Sequence, residues 1–367
     1  MLSTVTGGEA AIAAAHELLA RKRRGDPAVP ELGVDQVREQ LSLAVDRVMS
    51  EGSLYDPTLA ALAIKQAQGD LGEAICLLRA FRTTLERFGE SEAVDTPSML
   101  IRRRVATTHK SVPGGQLLGP TYDYTHRLLD FALMAEGGEG PPGPAPAATA
   151  EAEPATLGAL EDHALLEAAL AGPDDTEPGD VTRDAISFPS RRDVRLQALA
   201  RGEEGFLQGL AYSSMRGFGR NHPFIADLRH GEVEVELHVP ELGFSVCVGE
   251  IAVTECQTVH RFPGDAARPP QLTRGYGLSF GHCERRAIAM ALLDRAMRGA
   301  EFAEEAEFPA QDEEFVLAHS DGVDASGLLQ HLKLPHYVDF QAVQQLLETL
   351  RAIWPARPQE LPDDSGR

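Results

Sequence analysis

At 367 residues and 43 % hydrophobic composition, the chain has apolar material for two or three packed domains and is not a disordered polypeptide. Its net charge of −22 argues against general nucleic-acid binding, which needs a basic face, and no run of about 18 apolar residues offers a membrane span. Four dispersed cysteines (Cys76, Cys247, Cys256, Cys283) form no CxxC pair, and the N-terminus has no basic stretch leading into an apolar block. The expectation is a cytoplasmic protein without its own iron–sulfur cluster or zinc ribbon.

Residues 1–135 read as a helical domain. An Ala-rich stretch from Gly8 to Ala20 runs into Arg21-Lys22-Arg23-Arg24, cations that suit a helix C-terminus, and Gly25 stops it. A second helix is expected from Val34-Asp35 through Val48. A third is expected from Leu59 to Phe81, where Leu62, Ile64, Leu71, Ile75 and Leu78 recur at helical spacing. Residues 136–180 break this pattern. Pro141-Pro142-Gly143-Pro144-Ala145-Pro146 is followed by a strongly acidic stretch, and the segment holds eleven Asp and Glu with no Lys or Arg. That is the composition of a linker or insertion, with room for a short helix around Leu157–Ala171. Residues 181–367 read as a mixed domain. Arg191–Ala200 is expected to be helical. Glu232–Val239 alternates polar and apolar residues and should pair with Phe244–Cys256 through a turn at Pro240–Gly243. Cys283–Met297 and Phe340–Leu350 should be amphipathic helices. The fold class is therefore α+β: a helix-rich N-terminal half, then a small antiparallel sheet and C-terminal helices.

Several segments could carry chemistry. Thr108–Arg127 gathers Lys110, the glycine pair Gly114-Gly115, Gln116, Asp123, His126 and Arg127. Backbone N–H groups at such glycines cradle phosphate oxygens, Lys110 and Arg127 supply cations, and Asp123 or His126 could handle a proton. Its spacing is not that of a Walker motif, and a polar turn would look the same. Tyr212–Pro223 and Gly275–Arg286 are Gly- and Arg-rich. The first could be an anion loop or a solvated one. The second ends where a helix starts, which favours anions, but its glycines equally suit a packing turn. Near the C-terminus, His331 and His336 are separated by Leu332-Lys333-Leu334-Pro335. The proline bends the chain, so two imidazoles could meet at one cation such as zinc; the same residues also fit two solvent-facing histidines. His16, His163, His230, His238, His260 and His319 have no constellation around them and read as ordinary histidines.

In order along the chain, Gly7-Gly8-Glu9-Ala10-Ala11-Ile12, Glu51-Gly52-Ser53-Leu54-Tyr55, Ala63-Ile64-Lys65-Gln66-Ala67, Pro113–Asp130 and His331–Gln341 resemble subunit I of the bacterial carbon–phosphorus lyase core complex, the PhnI family. The resemblance spans nearly the whole chain outside the acidic insertion and the last dozen or so residues. It implies an enzyme subunit that displaces adenine from C1′ of ATP with an alkylphosphonate, giving α-D-ribose 1-phosphonate 5-triphosphate. Alone, such a subunit acts as a nucleosidase. The partners implied are subunits G and H, the ATPase-like subunit L, and the radical-SAM subunit J, which later breaks the carbon–phosphorus bond. The resemblance also implies that His331 and His336 bind Zn²⁺ near the contact with J. Mg²⁺ is expected to arrive with ATP. Clustering makes Asp123 and His126 the catalytic candidates, and Lys110, Gly114, Gly115, Gln116 and Arg127 the substrate-binding ones. The competing expectation is a non-catalytic scaffold that presents a metal site to subunit J.

Overall fold

The computed structural model describes residues 8–110, 115–134, 165–167, 177–216 and 222–354. Two compact units divide the chain, Met1–Gly322 and Val323–Arg367.

In the first unit, the helical stretch is broken into more pieces than its periodicity suggests. Helix α1 (Glu9–Arg24) ends at Gly25 as expected and buries no residue. The helix expected over Val34–Val48 is two, α2 (Val34–Gln40) and α3 (Ser42–Gly52), which meet at Leu41. The one expected over Leu59–Phe81 is also two, α4 (Pro57–Gln66) and α5 (Leu71–Arg82). Two consecutive residues with left-handed backbone, Gln68 (φ 58°) and Gly69 (φ 85°), end α4, and the Asp70 carboxylate then caps α5 by accepting from Glu73 N–H at 3.2 Å. Hydrophobic spacing runs through this break without registering it.

Four antiparallel strands follow one another across a single sheet: β1 (Leu100–Val105), β2 (Phe224–Val239), β3 (Phe244–Phe262) and β4 (Gln271–Phe280). The expected hairpin forms β2–β3, with strands longer than the alternating pattern marked. Strand β1 comes from residues expected to be helical, so parts of 1–135 and 181–367 share one sheet. Leu165–Glu167, from the acidic segment, lie along β4, where Leu166 bridges Leu272. These three residues are not helical, and the rest of the helix expected around Leu157–Ala171 lies outside the described residues.

Helices α6 (Arg192–Arg201), α7 (Glu204–Met215), α8 (Glu284–Met297) and α9 (Glu313–His319) build one core, around Leu199, Leu207, Met290, Leu293 and Val316. Helix α8 lies close on β4. A Cβ at Gly275 would sit 2.1 Å from the Ala291 carbonyl oxygen, and one at Gly277 2.2 Å from that of Ala287. Gly275 and Gly277, read from the sequence as either part of an anion loop or a packing turn, are thus strand residues that let a helix approach. In the second unit, α10 (Gly322–His331) leads into it and α11 (Tyr337–Ile353) follows; neither buries a residue. Among the described residues, no helix is long and apolar enough to cross a membrane.

Candidate active site

Strand β1 supplies three consecutive arginines, and each meets its own carboxylate. Arg102 pairs with Glu232 at 2.8 Å, Arg103 with Glu284, and Arg104 with Asp227 at 3.1 Å. Side chains alternate along a strand, so Arg103 and Arg104 leave opposite faces of the sheet. Arg104 and Asp227 are both buried and form an internal pair. Arg103, 2 % exposed, is a hub: its guanidinium also donates to the Leu118 carbonyl and to the Asp123 carboxylate at 2.5 Å.

That hub brings the Thr108–Arg127 segment to the sheet. Leu117 exchanges backbone hydrogen bonds with Arg104, at 2.8 and 3.0 Å, and the Gln116 side-chain amide donates to the Ala106 carbonyl. At Gly119 (φ 59°) a Cβ would stand 3.0 Å from the Arg102 carbonyl oxygen, so only glycine lets the segment lie this close. Asp123, 47 % exposed, lies between Arg103 and Arg127, whose guanidinium is 3.5 Å away. The structure therefore brings Asp123 and Arg127 together and gives Gln116 a bracing role. Gly115 has φ 80°, Lys110 and His126 are exposed, and Gly114 lies outside the described residues.

The opposite wall comes from the start of α8. Gly281 turns the chain with φ 65°; a Cβ there would fall 2.2 Å from Asp46 Cγ. The turn lets the Asp46 carboxylate accept from His282 N–H at 2.9 Å, and burial pushes the Asp46 carboxyl above its ordinary range against that hydrogen bond. His282 Nε2 lies 3.4 Å from Glu284 Oε1. Burial raises the Glu284 pKa, but His282 and Arg103, by hydrogen bonds and charge, outweigh it and bring the carboxyl down to about 2. Glu284 is thus a fixed anion that is still 19 % exposed.

Behind it, His282 stacks flat on His230, with centroids 4.5 Å apart and planes 11° from parallel. His230 sits on the face shared by its cross-strand partner Thr254 and by Ser279. Its Nδ1 is 3.1 Å from the Val253 carbonyl oxygen, an acceptor only, so Nδ1 carries the hydrogen and Nε2 the lone pair. Thr254 Oγ1 donates to the Gly281 carbonyl at 2.6 Å and accepts from Cys283 N–H at 3.1 Å, which locks the turn beneath the stack. Burial first, and the neighbouring His282 second, lower the His230 pKa to about 4. The resulting cluster joins two carboxylates, a guanidinium and two stacked imidazoles. Asp123 stands among the catalytic candidates of the sequence, His282 and Glu284 lie in the Gly275–Arg286 segment considered there for anion binding, and the sequence singles out neither Arg103 nor His230.

In the second unit, His331 closes α10 and His336 precedes α11. The rings meet edge to face with Nε2 atoms 3.1 Å apart. His336 Nδ1 is 2.5 Å from the Leu334 carbonyl oxygen, which places the hydrogen on Nδ1 and leaves the Nε2 lone pair for a metal. Two imidazoles on one tetrahedral zinc stand about 3.3 Å apart, given Zn–N bonds of about 2.0–2.1 Å. The donor pair fits half of such a site. Among the described residues, no group of three or more His, Cys, Asp or Glu completes one. Gly217–Asn221 of the Tyr212–Pro223 segment lie outside the described residues; Tyr212–Met215 are the end of α7.

A family model described as "Bacterial phosphonate metabolism protein (PhnI)" matches residues 1–354. The chain belongs to the PhnI family. It is 57 % identical over 351 residues to the α-D-ribose 1-methylphosphonate 5-triphosphate synthase subunit PhnI of Rhizobium meliloti (strain 1021), covering 96 % of this chain and 95 % of that protein. It is 53 % identical to the PhnI subunit of the same name from Escherichia coli (strain K12), covering 96 % and 98 %. A third relative, from Stutzerimonas stutzeri and provisionally named as a C-P lyase subunit, is 42 % identical over 96 % of this chain and 97 % of its own. The α+β architecture and the PhnI resemblance carried by the sequence segments both hold.

Proposed function

We propose that this chain is the PhnI subunit of an α-D-ribose 1-methylphosphonate 5-triphosphate synthase in phosphonate catabolism, and that the cluster at β1 and the start of α8 exchanges adenine for an alkylphosphonate at C1′ of ATP. The observation that carries the reading is the pairing of a fixed anion, Glu284, with an imidazole, His282, 3.4 Å away at a partly open surface. The N-glycosidic bond breaks with positive charge growing on the sugar while the departing base takes up negative charge. A carboxylate is wanted beside C1′ and a proton donor beside the purine, as in glycoside hydrolysis. Glu284 supports the first role and His282 the second. His230 stays neutral near pH 7, so a proton on His282 meets no second cation across the stack.

Asp123 serves as the second carboxylate, oriented by Arg103 and Arg127. His126 on the exposed segment is the alternative donor, and Lys110, Gly114 and Gly115 receive the triphosphate, with Mg²⁺ travelling with the nucleotide. His331 and His336 would hold Zn²⁺ near the contact with subunit J, where the ion would supply Lewis acidity or clamp the two chains. Subunits G, H and the ATPase-like L are the other partners, in the cytoplasm.

Purified chain incubated with Mg-ATP, with and without G, H, L and methylphosphonate, tests the reading. Adenine release by the chain, redirected to a ribose phosphonate by the partners, supports it. No adenine under any condition with an intact complex moves catalysis elsewhere. The scaffold reading would then lead, favoured by the apolar side chains that α10 and α11 leave exposed, among them Leu328, Phe340 and Ile353.

A further inference from the structure

Strand β4 comes last in the order β1-β2-β3-β4, so the side away from β3 is a sheet edge. An edge strand turns every second N–H and C=O outward, where they invite another chain unless something covers them. Three successive outward N–H groups of β4 are covered in two ways. Tyr276 N–H donates to the Asp294 carboxylate of α8 at 3.0 Å. Leu272 and Arg274 rely instead on a piece of the acidic segment. Leu272 N–H donates to the Leu165 carbonyl at 2.6 Å, and Arg274 N–H to the Glu167 carboxylate at 2.5 Å. Glu167 N–H returns a bond to the Leu272 carbonyl at 2.8 Å, so Leu165-Leu166-Glu167 runs parallel to β4 around one bridge.

The side chains are matched as closely as the backbone. Leu166 packs with Leu272 on the fully buried Ala226 and Val259. Strand alternation sends Glu167 to the other face, where its two oxygens each meet Arg298 at 3.0 Å. Glu167 is 8 % exposed, and Arg298, the residue that follows α8, is also buried and donates to the Arg274 carbonyl at 2.9 Å. Taking a carboxylate out of water is costly unless a fixed, bidentate partner meets it. A segment with eleven Asp and Glu and no Lys or Arg has no need to bury one of them for the sake of solubility or reach. Three successive residues thus present a backbone acceptor, an apolar side chain and a carboxylate, each to its own complement on the first unit. That is how a peptide adds to a sheet edge, with main-chain bonds for affinity and alternate side chains for selectivity.

We propose that the Leu272–Arg274 edge of β4, with Arg298 behind it, is a recognition site for an extended peptide in which an apolar residue precedes a carboxylate, and that Leu165-Leu166-Glu167 fills it in cis. The segment whose composition reads as a linker or insertion carries a ligand for its own sheet. A partner chain with the same extended apolar–acidic sequence competes for this edge. Tethering gives the chain's own segment a high effective concentration, so a free peptide gains the edge only when that segment is released.

The test is fluorescence anisotropy of a labelled peptide of residues 161–170, Glu-Asp-His-Ala-Leu-Leu-Glu-Ala-Ala-Leu, titrated with the full chain. The variant Leu166→Asp/Glu167→Ala releases the segment and should bind the peptide. Wild type should bind it at least about tenfold more weakly, because its own segment holds the edge. A peptide carrying Glu167→Gln should bind the released chain at least about tenfold more weakly than the unaltered one. Thermal unfolding checks that the released chain is folded. Should it not fold, amide hydrogen exchange on the single variant Glu167→Gln decides: Leu272 and Arg274 should exchange at least about tenfold faster than in wild type, while Tyr276, held by Asp294, stays protected. A folded, released chain that ignores the peptide at millimolar concentration, or takes the Gln peptide equally well, would overturn the assignment. So would wild type that binds as tightly as the released chain, or unchanged exchange at Leu272 and Arg274.

Discussion

Two imidazole pairs face opposite surroundings in this molecule. His230 and His282 lie stacked against the sheet, with a carboxylate, a guanidinium and a locked turn around them. His331 and His336 meet at an exposed bend, where the Leu334 carbonyl orients the His336 ring. The first pair is assembled by one folded unit. The second holds its lone pairs in place but lacks further ligands among the described residues. Chemistry that a single chain performs belongs with the preorganised cluster, and chemistry that needs another subunit belongs with the half-built one.

The sharpest way to break this contrast is to remove the hub. Arg103→Met would strand Glu284 and Asp123 without their shared cation and should cost about 3–5 kcal/mol of stability in denaturant unfolding. A loss under about 1 kcal/mol would mean that the cluster is solvated and not preassembled. Next in size, Glu284→Gln keeps the shape and removes the anion. Adenine release should fall about a hundredfold, in keeping with the loss of one electrostatic contact to a transition state. Asp123→Asn should cost about tenfold in the same assay, because Asp123 is half exposed and already neutralised by two arginines.

The stacked pair is tested by pH, through stability and not through turnover. The His230 pKa falls from 6.5 in the unfolded chain to about 4 in the folded one, so below pH 6.5 the unfolded state binds more protons. Stability from this group is complete above about pH 6.5 and is lost as the pH falls toward 4. The melting temperature should decline across that window in wild type and less steeply in His230→Gln. At the other pair, His331→Ala should change stability by less than about 0.5 kcal/mol, since the site is exposed. It should lower bound zinc, measured by metal analysis of the complex, while sparing adenine release.

The two pairs were not equally legible in the sequence. His331 and His336 stand five residues apart across a proline, so a local pattern sufficed to single them out. His230 and His282 are 52 positions apart in the sequence and become neighbours only through the β2–β3–β4 register and the Gly281 turn. No local spacing carries that. Arg103 was hidden for a related reason: Leu100–Val105 lacks the apolar alternation of a half-exposed strand, because both faces of β1 carry buried arginines paired with carboxylates from elsewhere. Glycine was legible as a special residue but not in its role, since Gly275 and Gly277 serve helix packing while Gly281 serves the turn. The hairpin, α6, α8 and α11 lie where the sequence places them, but α8 is buried on nearly every side and is not the amphipathic helix expected. The breaks at Leu41 and at Gln68-Gly69 lie where the sequence places none, because backbone conformation at one or two residues leaves no trace in side-chain spacing.

On the proposed reading, one folded unit of this chain carries the ribosyl chemistry while the histidine bend does not. The direct measurement is adenine release from Mg-ATP by the reconstituted complex, comparing wild type, Glu284→Gln and His331→Ala/His336→Ala. Glu284→Gln should abolish most of the release, and the double histidine variant should keep it. Release that survives Glu284→Gln but disappears with the two histidines would contradict that reading.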